Sequence, residues 1–395
     1  MITPSIGTPI GFKDILTGFG ARGTREGFAK TIARQNHRKY CLLTNSGTAA
    51  YFLILKALQS LSGKREVILP AYTAPSLILP IKKAGLVPRL CDIDLTSFNM
   101  DLKTLPSVLS DDTLAITIVH MFGLPQWFGS SPQEQRHQKD VFLIEDFASA
   151  QGSALRGRTA GSFGDVSFTS FNRGKNFATL SGGAIATDRE DIYRLVMKQG
   201  KKYLEEPALT TRIGIAFKAI ALSLAVRPWF YTIFRGLIAP FKYHGIHDSF
   251  VIHAYTGFQA GMGSSALQRA AFIFERRAQN GLFLLRALSD VEGITIPAIP
   301  DGAIPAFNQF PLLVGNPLLR DRIVDALIKD DIEATTLYPE PIHRVYDLGY
   351  DLRKDPFPHA TYLSKRLILI PTHPYVTERV LKRAVDIVRK RALEE

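Results

Sequence analysis

The chain has 395 residues, 46% of them apolar, enough to bury a large core and to build one big domain with a smaller one beside it. Its two cysteines, Cys41 and Cys91, fall in no metal or redox spacing and suit a reducing compartment, and the stretch from Met1 to Gly7 lacks the charged start and apolar core of a signal peptide, so a cytoplasmic location is expected. Forty-eight basic against 36 acidic residues leave a net charge of +12, which points to nucleotide phosphates or lipid headgroups as partners; without a zinc spacing, a Walker loop or an RNA-binding signature, nucleic acid ranks last.

From Tyr40 to about Thr187, short apolar runs alternate with helical stretches. The runs are Val67-Ile68-Leu69, Pro88 to Cys91, Ala115 to Val119, Val141 to Ile144, Val166-Ser167-Phe168 and Ala184-Ile185-Ala186. That alternation predicts an α/β domain with a mostly parallel sheet. Early in it, Asn45-Ser46-Gly47-Thr48-Ala49-Ala50 precedes the apolar run Tyr51 to Leu55 and reads as a capped helix start, whose free N–H groups suit a phosphate. The run Val141 to Ile144 is apolar enough for a strand buried on both faces, so Asp146 should lie at a strand's C-terminal end, where ligands gather in parallel sheets. Next comes Ser170-Phe171-Asn172-Arg173-Gly174-Lys175-Asn176, ahead of Ser181-Gly182-Gly183. A lysine on a polar, glycine-bearing loop just past an acidic strand end is equipped to hold an aldehyde cofactor as a Schiff base. A carboxylate such as Asp146 facing a pyridine nitrogen would keep that nitrogen protonated, because an opposite charge favours the charged form.

Beyond the alternating region, Ile213 to Phe241 is almost uniformly apolar, broken by Lys218, Arg227, Pro228 and Arg235. Ile213 to Val226 predicts a helix of about 21 Å at 1.5 Å per residue, too short for a hydrocarbon core of about 30 Å. The segment therefore reads as a pair of short helices bent at Pro228 that docks on an anionic membrane surface, or as a buried element under the small domain or in a subunit interface. From about Asn280 the style changes. Asn316-Pro317 caps a helix with Leu319, Ile323, Ala326 and Leu327 on one face, Leu367 to Ile370 reads as a strand, and Thr377 opens a terminal helix with Val380, Leu381, Ala384, Val385 and Val388 inward. This is a small C-terminal α+β domain.

The order of these motifs, together with Leu69-Pro70-Ala71-Tyr72-Thr73, Cys91-Asp92-Ile93-Asp94, Val119 to Pro125, Gly161 to Asp165 and Leu369 to Pro374, resembles the DegT/StrS-type sugar aminotransferases, from about Gly23 to the C-terminus. The resemblance implies a fold-type I enzyme of pyridoxal 5'-phosphate (PLP) acting as a homodimer. It divides the chain into an N-terminal arm and large cofactor domain (1–212), an apolar, basic insertion (213–245), a return to the large domain and dimer interface with a linker helix (246–279), and the small domain (280–395). It makes Lys175 the Schiff-base and proton-carrying residue and Asp146 the partner of the ring nitrogen, with Gly47, Thr48 and Ser170 holding the phosphate.

Several positions depart from the family pattern. Ser149 stands where a Gln usually bonds the phenolic oxygen, and Ala74 replaces the stacking aromatic, leaving Tyr72, another ring or none to stack on the cofactor. The family's Glu-Gly-Gly is Ser181-Gly182-Gly183, and the run that lends an Asn to the neighbouring subunit is blurred to Gln259-Ala260-Gly261-Met262, with Gln259 as the stand-in. His120, at a strand end, suits either a substrate contact or a packed histidine; Arg173 suits a substrate anion or solvent; His343, in a Tyr338…Pro341-x-His343 run, suits the substrate entrance or turn packing.

The implied activity is transamination from an amino acid, glutamate by resemblance, to a keto-sugar carried on a nucleotide or a lipid. The related sugar dehydratases, which place His where Lys175 stands, are a second possibility, and a PLP-binding scaffold without turnover is a third.

Overall fold

The structure is a computed structural model that describes residues 2–7, 9–20, 24–126, 141–225, 229–230, 232–233 and 249–394. Helices α1 (Phe12–Phe19) and α2 (Arg25–Gln35) lead into β1 (Tyr40–Thr44), α3 (Gly47–Leu58), β2 (Glu66–Pro70), α4 (Ile78–Ala84), β3 (Val87–Cys91), α5 (Leu105–Val108), β4 (Thr113–Val119) and β5 (Phe142–Asp146). A short hairpin, β6 (Ala154–Leu155) and β7 (Arg158–Thr159), precedes β8 (Val166–Ser170), β9 (Gly183–Thr187), α6 (Glu190–Tyr203) and α7 (Leu209–Ala225). Seven strands form one sheet in the order β1-β9-β8-β5-β4-β2-β3. Strands β3, β2, β4, β5 and β8 run parallel, whereas β9 is antiparallel to both neighbours.

The mostly parallel sheet expected from the alternation is therefore present, and the sidedness of its residues explains why. Val67 and Leu69 of β2 enter one apolar cluster with α3, while Ile68 between them enters another with Leu105 of α5. Strands β2, β4 and β9 are buried along their whole length, so they carry largely apolar runs, with Thr117 inside β4, instead of alternating strictly with polar residues.

The remainder comprises α8 (Gly257–Ala266), α9 (Ala270–Leu288), β10 (Ile294–Thr295), β11 (Ala303–Ile304), β12 (Phe310–Val314), α10 (Pro317–Lys329), α11 (Ile342–Val345), α12 (Pro358–Arg366), β13 (Leu367–Ile370) and α13 (Glu378–Ala392). Strands β10, β12 and β13 make a second, antiparallel sheet. The expected caps are in place: the Asn316 side chain accepts from Leu319 N–H and that of Thr377 from Val380 N–H. Strand β11 crosses back to pair with β6, so that β11, β6 and β7 form a third small sheet that ties this region to the hairpin after β5. The N-terminal arm adds another tie. Thr3 pairs with Ile332, and His373 Nε2–H donates to the Pro4 carbonyl at 2.8 Å.

In the apolar segment, α7 begins at Leu209, ahead of the expected start at Ile213. The bend expected at Pro228, with Arg227, Phe234, Arg235, Phe241 and Lys242, lies outside the described residues, as does the side chain of Leu222. Among the described residues no helix is long and apolar enough to cross a membrane.

Candidate active site

Parallel strands end together, and here the register aligns Val119 of β4 with Asp146 of β5 and Asp146 with Phe168 of β8. Asp146 is buried, with Oδ1 accepting from Ala148 N–H at 2.9 Å. Burial raises its carboxyl pKa, opposed first by the charge of Lys175. Lys175 is half-buried, and its Nζ donates to Ser149 Oγ at 3.1 Å. Loss of water around that amine lowers its pKa, while Asp146 works the other way. A lysine depressed in this way keeps more of its amine neutral and nucleophilic.

The loop carrying Lys175, between β8 and β9, is held from three directions. Gln151 Oε1 accepts from Phe177 N–H at 3.0 Å, and its Nε2 donates back to the Ser170 carbonyl at 3.2 Å. Asn176 Nδ2 donates to the Gln151 and Ala306 carbonyls at 3.0 and 2.8 Å. Asn308 Nδ2 donates to the Gly174 carbonyl at 2.6 Å. Gly174 adopts φ +85°, and a Cβ there would lie 3.2 Å from Ile6 of the N-terminal arm, so the arm closes directly over the loop. Gln151, Asn176 and Asn308 were not assigned from sequence. Gln151 lies two residues beyond Ser149, and Asn308 is 132 residues from Asn176 along the chain, so only folding joins them.

At the far end of this loop, the Ser181-Gly182-Gly183 turn that leads into β9 meets the start of α3. Ser46 caps α3 by accepting from Ala49 N–H. A Cβ on Gly47 would lie 2.9 Å from Ser170 Cβ, and one on Gly183 would lie 2.6 to 2.7 Å from backbone atoms of Ser46 and Gly47. Gly182 has φ +126°, and its Cβ would strike Tyr255 at 2.4 Å. Glycine at these positions lets two backbone turns and a helix N-terminus converge beside Ser170 and the half-buried Thr48, an arrangement that suits a phosphate. With a buried carboxylate and a depressed amine nearby, the residues fit PLP.

The other sequence candidates fall as follows. Tyr72 is buried, donates through its hydroxyl to the Tyr338 carbonyl at 3.2 Å and packs its ring 5.9 Å from that of Tyr338. Burial and then the Asp146 charge push the Tyr338 phenol upward. His120 is fully buried with both ring nitrogens engaged: Nδ1 accepts from Gln126 N–H at 2.9 Å and Nε2–H donates to Glu145 at 2.8 Å. Glu145 also accepts from the N–H groups of Gly161, Phe163 and Gly164. Against the upward push of burial, the His120 hydrogen bond, the charge of Arg38 and the Gly161 N–H hold its carboxyl below the usual range. Arg173 is exposed on the loop. His343 is buried, 3.3 Å from Asp355, with its ring 5.1 Å from that of Phe357, and burial lowers its pKa. Gln259 is buried in its own chain, forms a capping box with Thr256 and donates to Ser181 O and Oγ at 2.9 and 3.0 Å, so its amide braces the Ser181-Gly182-Gly183 turn.

Known proteins resemble this chain in sequence and in fold. The chain is 27% identical over 354 residues, 88% of its length and 83% of the relative's, to a dTDP-4-dehydro-2,3,6-trideoxy-D-glucose 4-aminotransferase of Saccharopolyspora spinosa. Its fold matches that of Helicobacter pylori PseC, an aminotransferase involved in the biosynthesis of pseudoaminic acid, with a TM-score of 0.80 at 18% identity over all of both chains. It also matches the Escherichia coli GDP-4-keto-6-deoxy-D-mannose-3-dehydratase with bound hydrated PLP, with a TM-score of 0.76 at 18% identity over 98% of this chain and 100% of that one. The family model matches residues 16–220 and 242–389, and the chain belongs to the DegT/DnrJ/EryC1/StrS aminotransferase family.

Proposed function

We propose that the protein transfers an amino group from an amino acid, glutamate as the donor, to a keto-sugar carried on a nucleotide or a lipid, in glycan or glycolipid biosynthesis in the cytoplasm. Its cofactor is pyridoxal phosphate, which supplies an aldehyde to attach amines and a protonated ring that accepts the electrons of a carbanion. Lys175 holds it through Nζ and moves the proton between the carbons on either side of the transferred nitrogen. Asp146 holds the ring nitrogen protonated; Gly47, Thr48 and Ser170 take the phosphate; Ser149 stands beside the lysine amine and Tyr72 backs the pocket. Working as a homodimer completes the reading, and an active monomer in light scattering at assay concentration would refute that part.

The observation that carries the proposal is the half-buried, depressed amine of Lys175 set beside the buried Asp146 at the strand ends. The test is a half-reaction with glutamate alone. One equivalent of 2-oxoglutarate per site should form, and a keto-sugar should then regenerate the starting absorbance. A sugar dehydratase would consume the keto-sugar by loss of water and leave no amino-sugar product. A scaffold without turnover would leave the spectrum unchanged.

A further inference from the structure

Helix α1 is amphipathic in an unusual sense, since its outward stripe is apolar. Phe12, Leu16 and Phe19 follow one another at helical spacing and are 54 to 68% exposed. On the neighbouring α7, Leu209, Ile213 and Phe217 form a matching stripe, 61 to 72% exposed. The two helices pack together through their other faces, where Ile15 meets Ala219 and Ile215, so the stripes are not a core that has come apart. Monomeric surfaces seldom expose large apolar side chains side by side in this way.

Helix α1 is fixed in this attitude. A Cβ on Gly18 would lie 2.8 Å from Phe258, and one on Gly261 of α8 would lie 2.7 Å from the Thr17 carbonyl, so the two helices pack with their backbones in close approach. Beneath them the buried Asp14 accepts from Ser265 Oγ at 2.7 Å and forms an ion pair with Arg269 at 2.5 Å. The apolar stripe is thus presented by a held element.

We propose that the α1–α7 face docks on the surface of an anionic phospholipid bilayer. Charge identifies the occupant. Exposed Lys13 and Lys218 flank the stripes and exposed Arg212 lies in the first turn of α7, while the sole carboxylate in the two helices, Asp14, is buried and paired. Apolar side chains with a basic border suit acyl chains below anionic headgroups. A second copy of the chain fits less well, because a two-fold contact through this face would bring the basic borders of the two helices together. The face involves no residue placed at the active site, so docking stands or falls independently of transamination.

The test is co-sedimentation of the full chain with vesicles of phosphatidylglycerol and phosphatidylcholine, against vesicles of phosphatidylcholine alone. The wild type should bind the anionic vesicles, and raised salt should weaken binding. The triple variant Leu16→Gln, Ile213→Gln, Phe217→Gln and the pair Lys13→Glu, Lys218→Glu should each bind at least about tenfold more weakly, with the glutamate half-reaction in solution unchanged. Binding equal to wild type in both variants, or no binding by the wild type, would overturn the proposal. So would a triple variant that changes only the oligomeric state in sedimentation velocity, which would assign the face to a second copy.

Discussion

Lys175 and Asp146 act on one another through charge, and each has a distinct consequence when removed. Lys175→Ala should fold, because the loop is held by Gln151, Asn176 and Asn308 rather than by the lysine. It should lack the visible absorbance of a lysine-bound cofactor and should not be trapped by borohydride; a retained, reducible chromophore would remove Lys175 from the role. Asp146→Asn keeps the shape but not the charge. Unit charges about 4 Å apart attract by roughly 4 kcal/mol at an effective dielectric of about 20, about a thousandfold in an equilibrium. The glutamate half-reaction should slow by about two to three orders of magnitude in stopped-flow absorbance, and near-normal turnover would exclude Asp146. These two residues were legible because each sits at a local signal, an acidic strand end and a glycine-bearing loop. Gln151 and Asn308 were not, because their value lies in which distant carbonyl or N–H they reach.

At the scale of elements, the convergence of α3 with the β8–β9 turn depends on missing side chains. Gly183→Ala would drive a Cβ to 2.6 Å from the Ser46 carbonyl, with no flexible end to move. Overpacking of this kind costs about 1–3 kcal/mol. The variant should melt earlier than wild type and should bind the cofactor less tightly in an equilibrium titration, because the same shift moves Gly47 and Ser170 apart. Gly63→Ala is the control, since nothing lies within 4 Å of a Cβ there; equal melting of the two variants would contradict the account. The strands were legible from apolar runs bounded by turns, and the α10 and α13 caps from Asn316 and Thr377. The role of Gln259 was not, because a capping box and a brace on Ser181 use the same amide that the family resemblance assigns to a neighbouring subunit. Likewise His120 read equally as ligand contact or packing until Gln126 and Glu145 were seen to use both its nitrogens.

For the whole molecule, the Asp14–Arg269 pair fastens α1 to the body, and its pH dependence follows from the sign of its shift. Burial pushes the Asp14 carboxyl up, but the Arg269 and Ser265 hydrogen bonds, the Gly11 N–H and the Arg269 charge together hold it below its ordinary value of 3.8. A carboxyl lowered on folding contributes stability that is fully present above its unfolded value and is lost as pH falls through the folded one. Asp14→Asn should therefore be less stable than wild type near neutral pH, by about 1–3 kcal/mol, as expected when a buried hydrogen-bonded charge is replaced. Arg269, 38% exposed and so partly screened by water, keeps the loss from being larger. As pH falls below that ordinary value and through the lower folded one, the wild-type carboxyl itself takes up a proton, and the two stabilities should converge. Urea melts of both proteins between about pH 7 and 3 make the comparison, and a gap that stays constant or widens on acidification would show that Asp14 does not hold α1 through its charge. The same variant should loosen α1 on α8, because Gly18 and Gly261 permit the close approach while the ion pair beneath them supplies the charge-assisted attraction.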